Sequence, residues 1–175
     1  MGADHRVLVG YASKNGSTAQ IAEWIGARLR ERGLEVEVRA VRGTLDCSYY
    51  TAVVLGSGLY ERRWLRDAVR FVRRHRHELL RVPVWLFSSG PLDGAAGARA
   101  IPPVERVARL AERVDSAEHV TFGGRLAEGA GGLVARQLLA QGKGGDFRDR
   151  DRIVRWADHI ADELLAGADT PPARV

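Results

Sequence analysis

Cysteine is all but missing from this chain. Cys47 stands alone among 175 residues, which excludes an intramolecular disulfide or a cysteine-ligated metal cluster. Lysine is nearly as scarce, with only Lys14 and Lys143, so arginine carries the net charge of +5. No apolar run approaches the roughly 20 residues that span a bilayer. Met1 to Asp4 lead directly into a strand pattern, so no signal peptide is expected. These absences predict a cytoplasmic protein, with peripheral contact to an anionic membrane still open. Length and composition predict a single domain over 1–175 with a sizeable core.

Several nucleotide and catalytic signatures are also missing. The P-loop and dinucleotide fingerprints do not follow the first strand, and no G-x-S-x-G elbow occurs. A phospho-acceptor domain needs carboxylates at the ends of strands one and three, where this chain has Gly10-Tyr11 and Gly56-Ser57. His75 and His77 are two apart and point in different directions on a helix, so no metal site is expected.

What is present is a regular alternation of strand and helix patterns. Val7–Ala12, Thr51–Gly56 and Pro83–Phe87 are apolar runs suited to central parallel strands. Leu34–Ala40 alternates strictly and His119–Phe122 is short, as edge strands should be. Helices are predicted over about Ser17–Arg32, Trp64–Leu80, Val104–Val114 and Arg152–Leu165. Ser17 and Gln20 fit a capping box at the first of these. The pattern predicts an α/β domain: a doubly wound five-stranded parallel sheet, order 2-1-3-4-5, with helices on both faces. Residues about 123–147 form a glycine-rich insertion containing a short amphipathic helix, and about 167–175 read as a flexible tail. An insertion of this length predicts a lid or a partner surface.

Three small-residue loops leave the carboxyl ends of the central strands. The first is Ser13-Lys14-Asn15-Gly16-Ser17-Thr18, a strand-to-helix turn. It offers hydroxyls, an amide and the free N–H groups of a helix N-terminus to an anion. The second is Ser57-Gly58-Leu59-Tyr60, continuing to Trp64. The third contains Ser88, Ser89, Gly90 and Pro91. Their convergence beyond one sheet predicts a phosphate-bearing ligand.

Tyr11–Thr18 resembles the flavin mononucleotide (FMN) phosphate loop of the flavodoxin family. Val53–Tyr60 and Val84–Pro91 resemble its two flavin-ring loops, over roughly residues 6–165. Within the family, the chain is most similar to the flavodoxin-like protoporphyrinogen dehydrogenases that pass electrons to menaquinone. Lys14, the arginine-rich helix, the late insertion and Gly142–Asp149 carry that likeness; Arg150 stands where that group commonly has tryptophan. The resemblance implies FMN as cofactor, held at its phosphate by Ser13, Asn15, Ser17 and Thr18, with Lys14 adding charge. It places a Gly58 backbone group near flavin N5 and Tyr60 or Trp64 on the ring. The third loop has no aromatic, so one flavin face is expected to be open to a substrate.

Arg62, Arg63, Arg66, Arg70, Arg73, Arg74 and Arg76 form a basic run that is either a solvated helix face or a dock for anionic lipid or porphyrin carboxylates. No nucleic-acid motif accompanies it. Three functions follow from the resemblance. The first is an FMN oxidoreductase working between a small-molecule redox substrate and a quinone-like acceptor. The others are an electron carrier without its own substrate and a flavin-free binding module.

Overall fold

The structure, a computed structural model, describes residues 5–43, 45–90, 101–126, 128–129, 131–142 and 144–168. Strands β1 (Arg6–Ala12), β2 (Glu35–Ala40), β3 (Ala52–Tyr60), β5 (Val84–Ser89) and β6 (Glu118–Phe122) form the parallel sheet, and β4 (Arg63–Trp64) folds back onto β3. Counting only the parallel strands, their order β2-β1-β3-β5-β6 is the expected 2-1-3-4-5. The helices are α1 (Ser17–Glu31), α2 (Arg66–Arg74), α3 (Arg76–Leu79), α4 (Glu105–Arg113), α5 (Leu133–Ala140) and α6 (Arg150–Ala168).

Successive strand residues point to opposite faces, so each central strand feeds two cores. Val7 and Val9 pack with Ile21, Ile25 and Leu29 of α1 and with Ile153 and Ile160 of α6. Leu8, between them, joins Val53, Leu55, Ala68, Val72 and Leu110 on the α2–α4 side. Burying a leucine-sized side chain contributes about 2 kcal/mol, and this two-sided burial is why the central strands read as unbroken apolar runs. On edge strand β2, by contrast, only Val36 and Val38 are half-buried. Asp158 of α6 accepts hydrogen bonds from both Arg28 and Arg32 of α1, tying two surface helices together.

Several local expectations are corrected. The helix predicted to begin at Trp64 starts at Arg66, because Leu59-Tyr60 and Arg63-Trp64 pair as a hairpin, and it breaks at His75. Its tip residues Glu61 and Arg62 have φ of 49° and 59°, the left-handed geometry a two-residue hairpin demands. The capping box does not form. Gly16 is the N-cap, with φ 84°, and no side chain caps α1. The predicted tail is helical through Ala168; the rest of it lies outside the described residues.

The insertion folds as β7 (Arg125–Leu126), α5 and β8 (Gly145–Asp146), with β7 and β8 paired antiparallel. Among the described residues no helix is long and apolar enough to cross a membrane.

Candidate functional site

The carboxyl ends of β1, β3, β5 and β6 open into a cavity of about 590 Å3. At its β1 end, α1 begins with the Gln20 N–H bonded to the Gly16 carbonyl at 3.1 Å. The preceding N–H groups of Ser17, Thr18 and Ala19 therefore have no acceptor within the helix. With no side-chain cap, they and the helix dipole form an anion seat. Ser13 Oγ accepts from the Gly16 N–H at 3.0 Å and shapes the turn.

Ser13, Asn15, Ser17, Thr18, Gly58, Leu59, Tyr60, Ser89 and Gly90 all line this cavity. The three loops therefore converge as predicted. Ser17 Oγ lies 3.4 Å from Ser89 Oγ and accepts from the Arg125 N–H at 3.1 Å, linking the phosphate loop to β5 and to the insertion. Asn15 donates to the Tyr60 hydroxyl at 3.5 Å. Burial raises the Tyr60 pKa, so its hydroxyl stays protonated. Gly58 is needed for space. A Cβ there would stand 2.8 Å from Tyr60 Cε2 and 3.4 Å from Thr18 Oγ1.

Five predicted residues have other places, Gly16 among them as the N-cap of α1. Trp64 is 5 % exposed, belongs to the α2-side core, and donates its indole N–H to Ser88 Oγ at 2.9 Å. It does not reach the cavity and is not positioned to stack on a ring there. Ser88 lies 2.8 Å from His119 Nε2, and with Trp64 as donor its own proton is free for that nitrogen. Burial pushes the His119 pKa down to about 4, keeping the ring neutral. Ser57, fully buried, donates to the Gly58 carbonyl at 3.0 Å and accepts from the Leu65 N–H at 3.0 Å. Its hydroxyl thus fixes the peptide that faces the cavity and the start of α2. Lys14 is exposed and holds its ammonium 5.7 Å from the centre of the Tyr60 ring. It is absent from the cavity lining. Pro91 lies outside the described residues.

Further residues complete the described lining of this cavity. Ile101, Pro102 and Val104 come from the segment before α4, and Thr121 from β6. Gly124, Arg125, Leu126 and Leu138 come from the insertion, and Glu61 and Arg62 from the hairpin tip. Thr121 stands one residue before the end of β6, the last parallel strand, at the same carboxyl edge of the sheet. Tyr60 is the one aromatic in the lining among the described residues.

A family model described as a flavodoxin domain matches residues 8–143, more than half of the chain. The chain belongs to the flavodoxin domain family. Solved structures agree on the fold. Rubredoxin oxygen:oxidoreductase from Desulfovibrio gigas matches at 13% identity and TM-score 0.64, over 97% of this chain but only 38% of that one. A mutant flavodoxin from Pseudomonas aeruginosa gives 13% and 0.62, over 93% and 99% of the two chains. Oxidised Flavodoxin 1 from Bacillus cereus gives 16% and 0.57, over 92% and 97%. No curated protein sequence matches.

FMN is the cofactor of this flavodoxin domain, and the site fits it on its own geometry. The uncapped α1 N-terminus with Ser13, Asn15, Ser17 and Thr18 suits the phosphate. Gly58, where a Cβ would collide, and Tyr60 present a close-approach surface for a planar ring. The coarse function that follows is electron transfer through a bound flavin.

Proposed function

We propose that this flavodoxin domain is an FMN-dependent oxidoreductase with its own organic substrate, passing electrons to a quinone-like acceptor. This is the chemistry of the protoporphyrinogen dehydrogenases it resembles in sequence. The observation that carries the reading is the wall contributed by the insertion. Leu126 and Leu138, with Ile101, Pro102 and Val104, give the cavity an apolar side. Apolar lining suits a flat ring system, and the residues that the insertion adds would extend that surface toward a flat apolar substrate.

When bound, FMN supplies the one- and two-electron redox chemistry. The chain's own residues bind and orient. The α1 N-terminus and hydroxyls hold the phosphate, and Ser57 fixes the Gly58 peptide. Arg62 and Arg125 bring positive charge to the cavity rim, suited to carboxylates on an incoming substrate. The basic character of the chain separates it from the typically acidic carriers of the family.

The test is anaerobic turnover of the FMN-loaded chain with protoporphyrinogen, nicotinamide donors and menaquinone analogues, beside a variant in which residues 126–144 are replaced by a short turn. The proposal expects flavin-dependent turnover of an organic donor, slowed in the shortened variant with FMN retained. A protein that oxidises none of the donors yet shuttles electrons to a redox protein is a carrier instead.

A further inference from the structure

A second concavity, of about 640 Å3, lies between α2 and α4 on the face of the sheet beside the flavin site. Arg66, Arg70 and Arg73 line it from α2; Arg106, Arg109 and Arg113 line it from α4. Their spacings, i, i+4, i+7 and i, i+3, i+7, keep each triplet on one face of its helix. Each row runs about 10 Å at 1.5 Å per residue. Arg63 closes one end, and Trp64, Val69, Val107 and Leu110 form an apolar floor.

This positive charge is largely uncompensated. Among the described residues, Arg109 is the one of these seven arginines paired with a carboxylate, that of Glu105. Arg66 and Arg106 stand in first helical turns, where the helix dipole already makes the potential positive. Folding brings two like-charged rows face to face; water and salt screen part of their repulsion, and a bound anion relieves it further.

We propose that this groove binds an acidic segment of a partner polypeptide. Guanidinium forks on both walls match carboxylates projecting to both sides of a chain, and the floor accepts the aliphatic carbons between them. A bilayer is flat and would meet only the rims. Among the described residues, the exposed large hydrophobic side chains, Tyr49, Leu80, Leu133 and Leu165, lie off the groove and could not anchor it there. Single-stranded nucleic acid binds by stacking on aromatic faces. The groove's aromatic, Trp64, is buried and committed to Ser88. Arg63 of the groove directly follows Arg62 of the flavin cavity, so a segment held here sits at the cavity rim. The proposal stands on charge and shape and is independent of the substrate reading above.

The test uses the FMN-loaded full chain and a fluorescein-labelled glutamate-rich decapeptide, followed by anisotropy at low and moderate salt. The Arg70→Glu/Arg73→Glu/Arg109→Glu variant is expected to weaken binding at least about tenfold. Arg39→Glu/Arg81→Glu/Arg155→Glu, with the same charge change on other surfaces, is expected to weaken it by less than about threefold. Equal losses in the two variants would reduce the groove to net charge and overturn the proposal. So would phosphatidylglycerol vesicles or oligothymidylate binding more tightly than the peptide and losing that binding in the groove variant. The flavin absorbance spectrum reports folding of each variant. If the triple variant does not fold, Arg106→Gln/Arg113→Gln takes its place, with a loss of about threefold expected and an unchanged affinity counting against the groove.

Discussion

The guanidinium of Arg148 lies 4.7 Å from the centre of the Trp24 ring. The same side chain grips Asp146 through both carboxylate oxygens, at 2.8 and 2.7 Å, and donates to Gln20 at 2.5 Å. Although formally on the surface, it is only 4 % exposed. Arg148 therefore holds the end of the insertion against α1, next to the phosphate loop, and holds the Asp146 carboxyl below its ordinary pKa.

Arg148→Ala should release this clasp. The loss of a largely buried, multiply bonded guanidinium is expected to cost about 2 kcal/mol in chemical denaturation. Limited proteolysis within residues 125–147 should accelerate while FMN binding persists. Unchanged cleavage would show that the insertion is held by other contacts.

Ser88→Ala leaves the buried indole N–H of Trp64 without its acceptor, so a stability loss of about 1–3 kcal/mol is expected. Because Trp64 packs away from the cavity, FMN affinity should stay within about twofold. A marked loss of FMN affinity, with the flavin spectrum perturbed, would restore Trp64 to the ring site.

Ser17→Leu and Thr18→Leu place bulky apolar groups at the anion seat. FMN affinity should fall by at least a hundredfold, or about 2.8 kcal/mol at 1.4 kcal/mol per tenfold. Isothermal titration measures this directly, and micromolar binding retained by both variants would refute the phosphate-loop assignment.

Gly58→Ala puts a methyl group 2.8 Å from Tyr60 Cε2. Tyr60 must shift toward the cavity or the β3–β4 hairpin must open. A loss of about tenfold in FMN affinity is expected with little change in the far-ultraviolet circular dichroism. Wild-type affinity would show that the hairpin accommodates the methyl freely.

His119 gives the stability a pH dependence of definite sign. Its folded pKa is lowered from 6.5 to about 4 by burial, so the unfolded chain binds more protons in that window. The stabilisation is full above the unfolded value and is lost as pH falls from 6.5 toward 4. About 2 kcal/mol should disappear across this range. His119→Gln should flatten the profile there, read from denaturation midpoints at successive pH values.

The sheet and the phosphate loop are legible in local pattern. Runs such as Val7–Val9 and Val53–Leu55 must be buried on both faces, and the strict alternation of Leu34–Ala40 must lie at an edge, so strand order was legible from hydrophobic pattern alone. Ser13–Thr18 was legible because a strand followed at once by small polar residues and a helix leaves N–H groups free. Which small residues beyond the strands face the ligand depends on the folded backbone. Side chains alternate along β3 and β5, which extend past the apolar runs, so Ser57 and Ser88 turn inward while Gly58 and Ser89 meet the cavity. The hairpin at Glu61-Arg62 carries Trp64 into the core, a reversal that no periodicity announces. Long-range packing alone sets the insertion over the cavity and brings the arginines of α2 opposite those of α4, because residues far apart in the chain become neighbours only when both helices cover the same face of the sheet.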